Sequence, residues 1–583
     1  MKLTFVRRWR LLGFSLGAAI AASLLMPVQP AQAAPGLEAF TTGAKLTRIG
    51  ADKTGLIKSA EAAGVARAEI SEVLGGRTGT PGLCHGHGIN GVFRPDGFCW
   101  DKGDDESGYS DAAGGWMPQG FAGAHAAKPD GRYEGRHLYA TSWYFGKYED
   151  GTANEEYSRI TIAESTGSKV SYGHLALVEP VEGGFREQPY KSHADGVAWY
   201  EDRLFVANGA ELQVYDLKHI WRMDDTTSAG TGWVDGQTKT AARYHRWALP
   251  LVARYSTYSG AKLDEPVNAF PKNNPRACGP VTGELCLSSV SVDRTAGSDG
   301  SGRSLVSSEH SSGPGSRIVH WPLASLGTTT PEVVKARPTA YKSPVFGIQG
   351  IATDGSDYYM SGSCPTTWPG YDFYTCIHVA KPGQAPRVLT QAPSMTQGLS
   401  WDPYANRLWG VNEALQKNNV GQGYRVVFSL NPDTGGTVDG WGWLTNHNRP
   451  RGICATPQGE GTANGTPVTV WSCNGAESQR WAFQDGRLVH KASGKCLTPE
   501  GDASNVNGAV LTLWTCNPAS TSQKFVVTDS AILNDSDRKA ITPKGNSFED
   551  GTWLTLWDMA HVPGPGGGAA ELNPIQEWFV KGF

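Results

Sequence analysis

The sequence predicts an all-β protein: a β-propeller of five blades followed by a threefold β-trefoil barrel. Three observations carry that reading. Glycine and proline make up 108 of 583 residues, or 18.5%, against about 12% in an ordinary chain. A Gly-centred opening recurs through the first two thirds of the chain, and a Cys/Ala-x-Thr-Pro segment recurs three times in the last third. An excess of turn formers with only 19% charged residues fits many short strands rather than long surface helices.

The first 33 residues read as a secretory signal peptide. Lys2, Arg7, Arg8 and Arg10 precede an apolar run from Leu11 to Met26, and Ala31-Gln32-Ala33 has the small-x-small form of a cleavage site. Removing them takes four basic and no acidic residues, so the formal charge moves from -4 to -8. A mildly acidic chain has no basic field for nucleic acid phosphates. No later run of 18 apolar residues spans a bilayer, so a secreted, extracellular protein is expected.

Ten cysteines fall into five near neighbours along the chain: Cys84 with Cys99, Cys278 with Cys286, Cys364 with Cys376, Cys454 with Cys473, and Cys496 with Cys516. In an exported chain this reads as five disulfides. The competing zinc reading rests on Cys84-His85-Gly86-His87 and has no C-x-x-C pair beside it. The acidic run Asp101, Asp104, Asp105 and Glu106 offers oxygen ligands for Ca²⁺ but lacks calcium-loop spacing. No metal or other cofactor is therefore expected.

Residues 34–80 form an N-terminal segment whose sustained helical pattern runs from about Thr54 to Leu74, with apolar Ile57, Val65, Ile70, Val73 and Leu74. Residues 81–445 form the propeller. Its blades open at Gln119-Gly120-Phe121, Asp195-Gly196-Val197, Gln349-Gly350-Ile351 and Gln397-Gly398-Leu399, and each opening is followed by a second apolar strand. The glycine lets backbones crowd at the axis. Gly120 to Gly196 is 76 residues and Gly196 to Gly350 is 154, about twice as long. That interval holds an unmarked pair, Leu287 to Asp293 and Ser304 to His310, which gives five blades. A sixth stays open because Trp221 to Arg276 is unassigned.

Residues 446–583 repeat three times. Cys454-Ala455-Thr456-Pro457, Cys496-Leu497-Thr498-Pro499 and Ala540-Ile541-Thr542-Pro543 open the units. Asn464-Gly465, Asn507-Gly508 and Asp550-Gly551 follow, then strands ending in Trp471, Trp514 and Trp557. Gln479-Arg480-Trp481, Gln523-Lys524-Phe525 and Gln576-Glu577-Trp578 close them. This triple Gln-x-aromatic pattern resembles the ricin B-type β-trefoil lectins, a likeness that implies a sugar-binding barrel. The family's sugar-binding lobes usually carry Asp two residues after the first Cys; here Thr456, Thr498 and Thr542 stand there. A hydroxyl does not match the charge-assisted bonds of a carboxylate. The N-terminal region resembles secreted actinobacterial propellers, a likeness that supplies architecture and no mechanism.

The expected function is a secreted carbohydrate-binding protein whose trefoil tethers the propeller to a polysaccharide or glycan. The ligand-binding residues expected in the trefoil are Trp471, Trp514, Trp557, Asn464 and Asn507. At the propeller axis they are Gln119, His193, Gln349 and Gln397. Two alternatives stand beside this reading. One is a glycan-active hydrolase or lyase using Asp195, Glu309 and Glu413, since glycoside hydrolysis needs paired carboxylates. The other is a non-catalytic protein-recognition scaffold. The G-x-S-x-G, H-E-x-x-H and phosphate-loop templates are absent from the sequence.

Overall fold

The computed structural model describes residues 36–581 except 86, 90–92, 107–114, 150–151, 189–191, 261–277, 279–283, 295–302, 311–314, 366–374, 414–424, 435–440, 447–452, 475, 485, 528–530, 563–570 and 577. The expected signal peptide lies outside the described residues.

Five strands line one axis: Gly115–Gly123, Gly196–Tyr200, Ser289–Asp293, Gly350–Thr353 and Thr396–Asp402. Each packs against the next, and the last packs against the first, so the ring closes at five. Each starts an antiparallel blade. Blade I continues through Leu138–Glu149, Thr152–Ser165 and Val170–Val181. Blade II uses Arg203–Asn208, Glu211–Asp216 and Trp247–Ser256, and blade III uses Ser304–Ser308, Ser316–Pro322 and Thr339–Ser343. Blade IV is completed by Tyr358–Ser363, Thr375–Ala380 and Arg387–Ala392.

Blade V takes Arg407–Asn412 and Val426–Leu430, then receives Asp96–Cys99 from the start of the chain. The ring is thus fastened by pairing an early strand with a late one. Residues 36–81 also supply sheet edges: Glu38–Thr41 pairs with Thr339–Ser343, and Lys45–Ile49 pairs with Trp247–Ser256. Among the described residues, the segment left unassigned from Trp221 builds no sixth blade. It contributes the hairpin Thr231–Val234 with Lys239–Ala242 and then the outer strand of blade II.

The blades are held by five apolar interfaces, one between each neighbouring pair. Val197, Trp199 and Leu204 meet Ala122, Leu138 and Ile160 between blades I and II. Phe205 and Leu212 meet Val290, Leu305 and Trp321 between II and III. Val306 and Ile318 meet Ile351 and Met360, Tyr359 and Ile377 meet Leu399 and Phe428, and Trp409 and Val427 meet Phe121 and Trp143. Strands sandwiched on both faces read as continuous apolar runs, and Gly196–Tyr200 and Arg203–Asn208 are buried throughout.

At the axis glycine is a steric requirement. A Cβ on Gly120 meets the Val197 nitrogen at 2.1 Å, one on Gly350 meets the Gln397 oxygen at 2.1 Å, and one on Gly398 meets the Phe121 nitrogen at 2.5 Å. Blade III has no glycine there. Its Ser289 hydroxyl accepts the backbone N–H of Ile351 at 3.0 Å, which is why spacing alone left that blade unmarked.

The expected helix from Thr54 to Leu74 is two pieces, Thr54–Ala62 and Ile70–Val73. Between them Gly64 adopts φ 108° and Ala66–Arg67 pairs with Trp221–Arg222. A left-handed glycine ends the first helix, and the strand pairing overrides the helical periodicity.

The C-terminal region is a trefoil with one apolar core. Leu444, Val470, Leu488, Leu497, Leu513, Ile532, Ile541 and Leu556 fill it. Trp481, Phe525 and Trp578 are the buried rings that close the three lobes. All ten cysteines are paired as the sequence predicts.

Candidate functional site

In the trefoil, Trp471, Trp514 and Trp557 are 43%, 49% and 44% exposed, an unusual state for the largest apolar side chain. They occupy equivalent positions at the ends of Val468–Ser472, Ala509–Trp514 and Leu554–Trp557. Each ring leans on the Asx-Gly turn of another lobe: Trp514 on Gly465, Trp557 on Gly508 and Trp471 on Gly551. The Asx side chains reach across the same boundaries. Asn464 accepts the Thr515 N–H at 3.0 Å, Asn507 accepts the Asp558 N–H at 2.9 Å, and Asp550 accepts the Ser472 N–H at 2.7 Å. Asn507 also donates to Asp558 and accepts from Lys539. The structure therefore places Asn464 and Asn507, expected as sugar ligands, in clamps between lobes.

The threonines at the expected Asp positions have their own duty. Thr456, Thr498 and Thr542 are buried and accept the side-chain amides of Gln479, Gln523 and Gln576 at 3.2, 3.0 and 3.0 Å. The conserved-looking repeat is thus a hydrogen-bonded brace. What each lobe offers outward is the tryptophan ring.

In the propeller, the starts of the inner strands and the ends of the second strands share one axial face, because the two run antiparallel. The Asp195 carboxylate accepts the Gly209 N–H at 2.7 Å and sits 2.7 Å from Nδ1 of His193. A carboxylate oxygen at this distance from an imidazole nitrogen accepts its N–H, so the Nδ1 proton points to Asp195. The His193 ring stacks on Tyr144 at 4.1 Å between centroids. Tyr144 donates to Oε1 of Glu413 at 3.0 Å, and Gln397 donates to Oε2 at 3.1 Å. His193, Asp195, Gln397 and Glu413 thus converge.

The backbone there is bent to serve this grouping. Ala194 and Met395, at φ 54° and 55°, adopt left-handed conformations next to Asp195 and Gln397, and the ladder bulges at Gln119-Gly120 and Gln397-Gly398. Bulges re-aim side chains, and such strain concentrates at functional sites. Nε2 of Gln119 and Oε1 of Gln397 are buried with no hydrogen-bond partner among the described residues. Gln349 is half-buried at the opening of blade IV.

Glu309 is not arranged like Asp195 and Glu413. It is fully buried and takes a two-pronged bond from Arg317, at 2.6 Å to Oε1 and 2.7 Å to Oε2, plus the Cys286 and Arg317 N–H groups. Such a carboxylate ties strand to loop. The acidic run is committed as well: Asp104 bonds Arg159, Tyr172 and His174, Asp105 bonds His85 and the Arg425 N–H, and Asp101 bonds Arg77. Burial opposes charge on Asp104, but the His174 and Arg159 contacts win and hold it well below the usual carboxylate range. Among the described residues Cys84, His85 and Cys99 lie close enough to share a metal, but the two sulfurs are joined in a disulfide.

Tyr144 and Phe346 belong to the axial face and had no sequence signal, because neither sits on a repeated motif, whereas His310 was marked by its place at the end of a second strand. A second set of histidines has catalytic-looking partners and a structural role. His125 bonds Ser400 at 2.8 Å with Asp402 at 3.7 Å, His174 links Thr161 to Asp104, and His320 links Ser304 to Tyr358. All three rings are buried, and burial pushes each down to about 4. A hydroxyl sealed between blades meets no substrate.

Comparison with known proteins bears on the C-terminal region. The ricin-type beta-trefoil lectin domain family matches residues 441–562. Among curated proteins, a probable lipoprotein, EnvE, of Salmonella typhimurium is 43% identical over 44 residues, 8% of this chain and 25% of that protein. The chain thus spans a quarter of that relative. Among solved structures, the earthworm R-type lectin C-half in complex with GalNAc shares 14% identity at TM-score 0.20, over 24% of this chain and 98% of that one. An exo-beta-1,3-galactanase from Clostridium thermocellum shares 13% at TM-score 0.24, over 76% and 93%. The matched stretch holds the closing rings Trp481 and Phe525, and a third lobe closes on Trp578 just beyond it, so the C-terminal part of this chain is a ricin-type β-trefoil lectin domain.

Proposed function

We propose that the protein is a secreted glycan-binding protein whose trefoil holds the propeller on a polysaccharide. The observation that carries this is the triple exposure of Trp471, Trp514 and Trp557 at equivalent positions of a lectin-type barrel. An indole face stacks on the C–H face of a pyranose, and three such faces on one barrel raise retention on a repeating polymer through effective concentration. Five disulfides and the N-terminal signal pattern support export. The test is retention of the full chain on insoluble plant, fungal and bacterial wall polymers, with the triple Trp→Ala variant as control. Retention that the triple variant loses supports the reading; a chain that none of the polymers retains overturns it.

The hydrolase reading keeps two of its three carboxylates together. Asp195 and Glu413 are linked through the His193–Tyr144 stack, whereas Glu309 is spent on Arg317. Release of reducing sugar from a retaining polymer, lost in Asp195→Asn and Glu413→Gln, is the outcome that would favour it.

A further inference from the structure

We propose that the axial face of the propeller is a second carbohydrate site, independent of the trefoil, in which the exposed ring of Phe346 stacks on a neutral pyranose whose hydroxyls meet His310 and the Asp195 and Glu413 groups. Phe346 is 49% exposed, and it lies in the segment that enters the inner strand of blade IV. Its neighbour Gly347 adopts φ 63°, and a Cβ there would stand 4.0 Å from Nε2 of His310. His310 stands two residues past Ser308, whose carbonyl accepts the Ser288 N–H; the adjoining Leu287 N–H bonds the Gly209 carbonyl at 2.7 Å, and the Gly209 N–H bonds Asp195 at 2.7 Å. The aromatic ring, the imidazole and the Asp195–His193 pair are therefore neighbours on one face, although blades II, III and IV supply them.

The chemistry of the grouping selects the ligand. Carboxylates accept hydroxyl hydrogens in charge-assisted bonds, and the amides of Gln119 and Gln397 each leave a buried polar atom unpaired beside the axis. Among the described residues the guanidinium groups near this face are turned to the protein: Arg317 to Glu309, and Nε and Nη1 of the fully buried Arg425 to the Glu413 and Asp104 carbonyls at 2.7 Å each. Among the described residues an anionic sugar thus meets carboxylates without an exposed, unengaged guanidinium to balance them, whereas a neutral one meets acceptors and donors that suit hydroxyls. Cys278–Cys286 precedes the inner strand of blade III, and Cys364–Cys376 ties the end of the second strand of blade IV to the start of its third; each closes a short loop beside its blade opening.

The test uses the full chain carrying Trp471→Ala, Trp514→Ala and Trp557→Ala, so that the trefoil is silent. Calorimetric titration with neutral hexasaccharides of glucose, xylose, mannose, galactose and N-acetylglucosamine, beside an oligogalacturonate, is expected to show binding to at least one neutral member and none to the anionic one. Phe346→Ala in that background is expected to weaken it about tenfold, Phe346→Trp to retain it, and Asp195→Asn to weaken it as well. Phe346 is exposed, so unchanged thermal unfolding of Phe346→Ala separates a lost contact from a lost fold. The proposal is overturned if the trefoil-silent chain binds none of the neutral sugars, if it binds the anionic one as well as any neutral one, or if Phe346→Ala binds as tightly as its parent. None of these results touches the trefoil reading, which is scored on polymer retention by the unmodified chain.

Discussion

The phenol of Tyr144, on the second strand of blade I, donates to Oε1 of Glu413, just beyond the second strand of blade V, at 3.0 Å. Because these are the first and last blades of the ring, the bond spans the seam where the propeller closes. Both groups are buried, so Tyr144→Phe leaves a carboxylate short of one donor. Unsatisfying a buried acceptor costs about 1–3 kcal/mol. Chemical denaturation should show an unfolding free energy lowered by that amount, as a lower midpoint at an unchanged slope; an unaltered midpoint would mean the bond is absent in solution.

Glu309 and Arg317 separate a structural carboxylate from a catalytic one. Arg317→Ala strands a fully buried charge and should destabilise the fold by about 3–5 kcal/mol, visible as a fall in melting temperature. Glu309→Gln should also lower it. A Glu309→Gln variant that melts like the parent yet loses activity on a glycan would restore Glu309 to a catalytic role.

The buried histidines set an acid limit. His125, His174, His320 and His378 are each held near 4 by burial, against an ordinary value of 6.5. The unfolded chain takes up protons between pH 6.5 and 4 that the folded chain refuses, so it gains on the folded state as pH falls through that window. Stability is fully present above pH 6.5 and is lost toward pH 4. Melting temperature measured at intervals from pH 7.5 to 4 should decline through this range, and replacing His320 by Gln should flatten the decline. A profile that is level from pH 7 to 4.5 would contradict the neutral, buried state of these rings.

Much of the architecture was legible in the sequence because it is repetitive. The Gly-centred openings mark the axis, where a Cβ at Gly120 or Gly350 collides with the next blade, so the motif and its physical cause coincide. The trefoil was legible for the same reason, through its three closing rings. The blade III strand stayed unmarked because Ser289 replaces crowding glycine with a hydrogen bond. The helix was overrun because Ala66–Arg67 found a strand partner 155 residues away at Trp221. Site residues were harder. Asp195, His193, Gln397, Glu413 and His310 were found because they flank the repeated strand pairs, whereas Tyr144 and Phe346 are brought in by tertiary placement alone. Asn464 and Asn507 looked like ligands because a repeated Asn-Gly beside an exposed Trp has the same signature whether it binds sugar or clamps lobes.

That ambiguity yields the last prediction. If the Asx residues are clamps and the tryptophans are the binding faces, the two sets separate by measurement. Asn507 has its carbonyl taken by Asp558 and Lys539 and its amide donating to Asp558, so Asn507→Ala should lower the melting temperature. These bonds stand at the surface, where water replaces a lost partner, so the fall is small but measurable. Polymer retention below the transition should be preserved. Trp557→Ala should do the reverse: a ring 44% exposed contributes little to the core, so melting should shift by at most a degree or two while retention falls. Single replacements of Trp471, Trp514 and Trp557 should each weaken retention in part and the triple replacement should remove the trefoil's share of it, leaving at most what the single propeller site holds, because the lobes act on a repeating polymer together. A variant lacking only Asn507 that unfolds like the parent but no longer binds would return that residue to the sugar site.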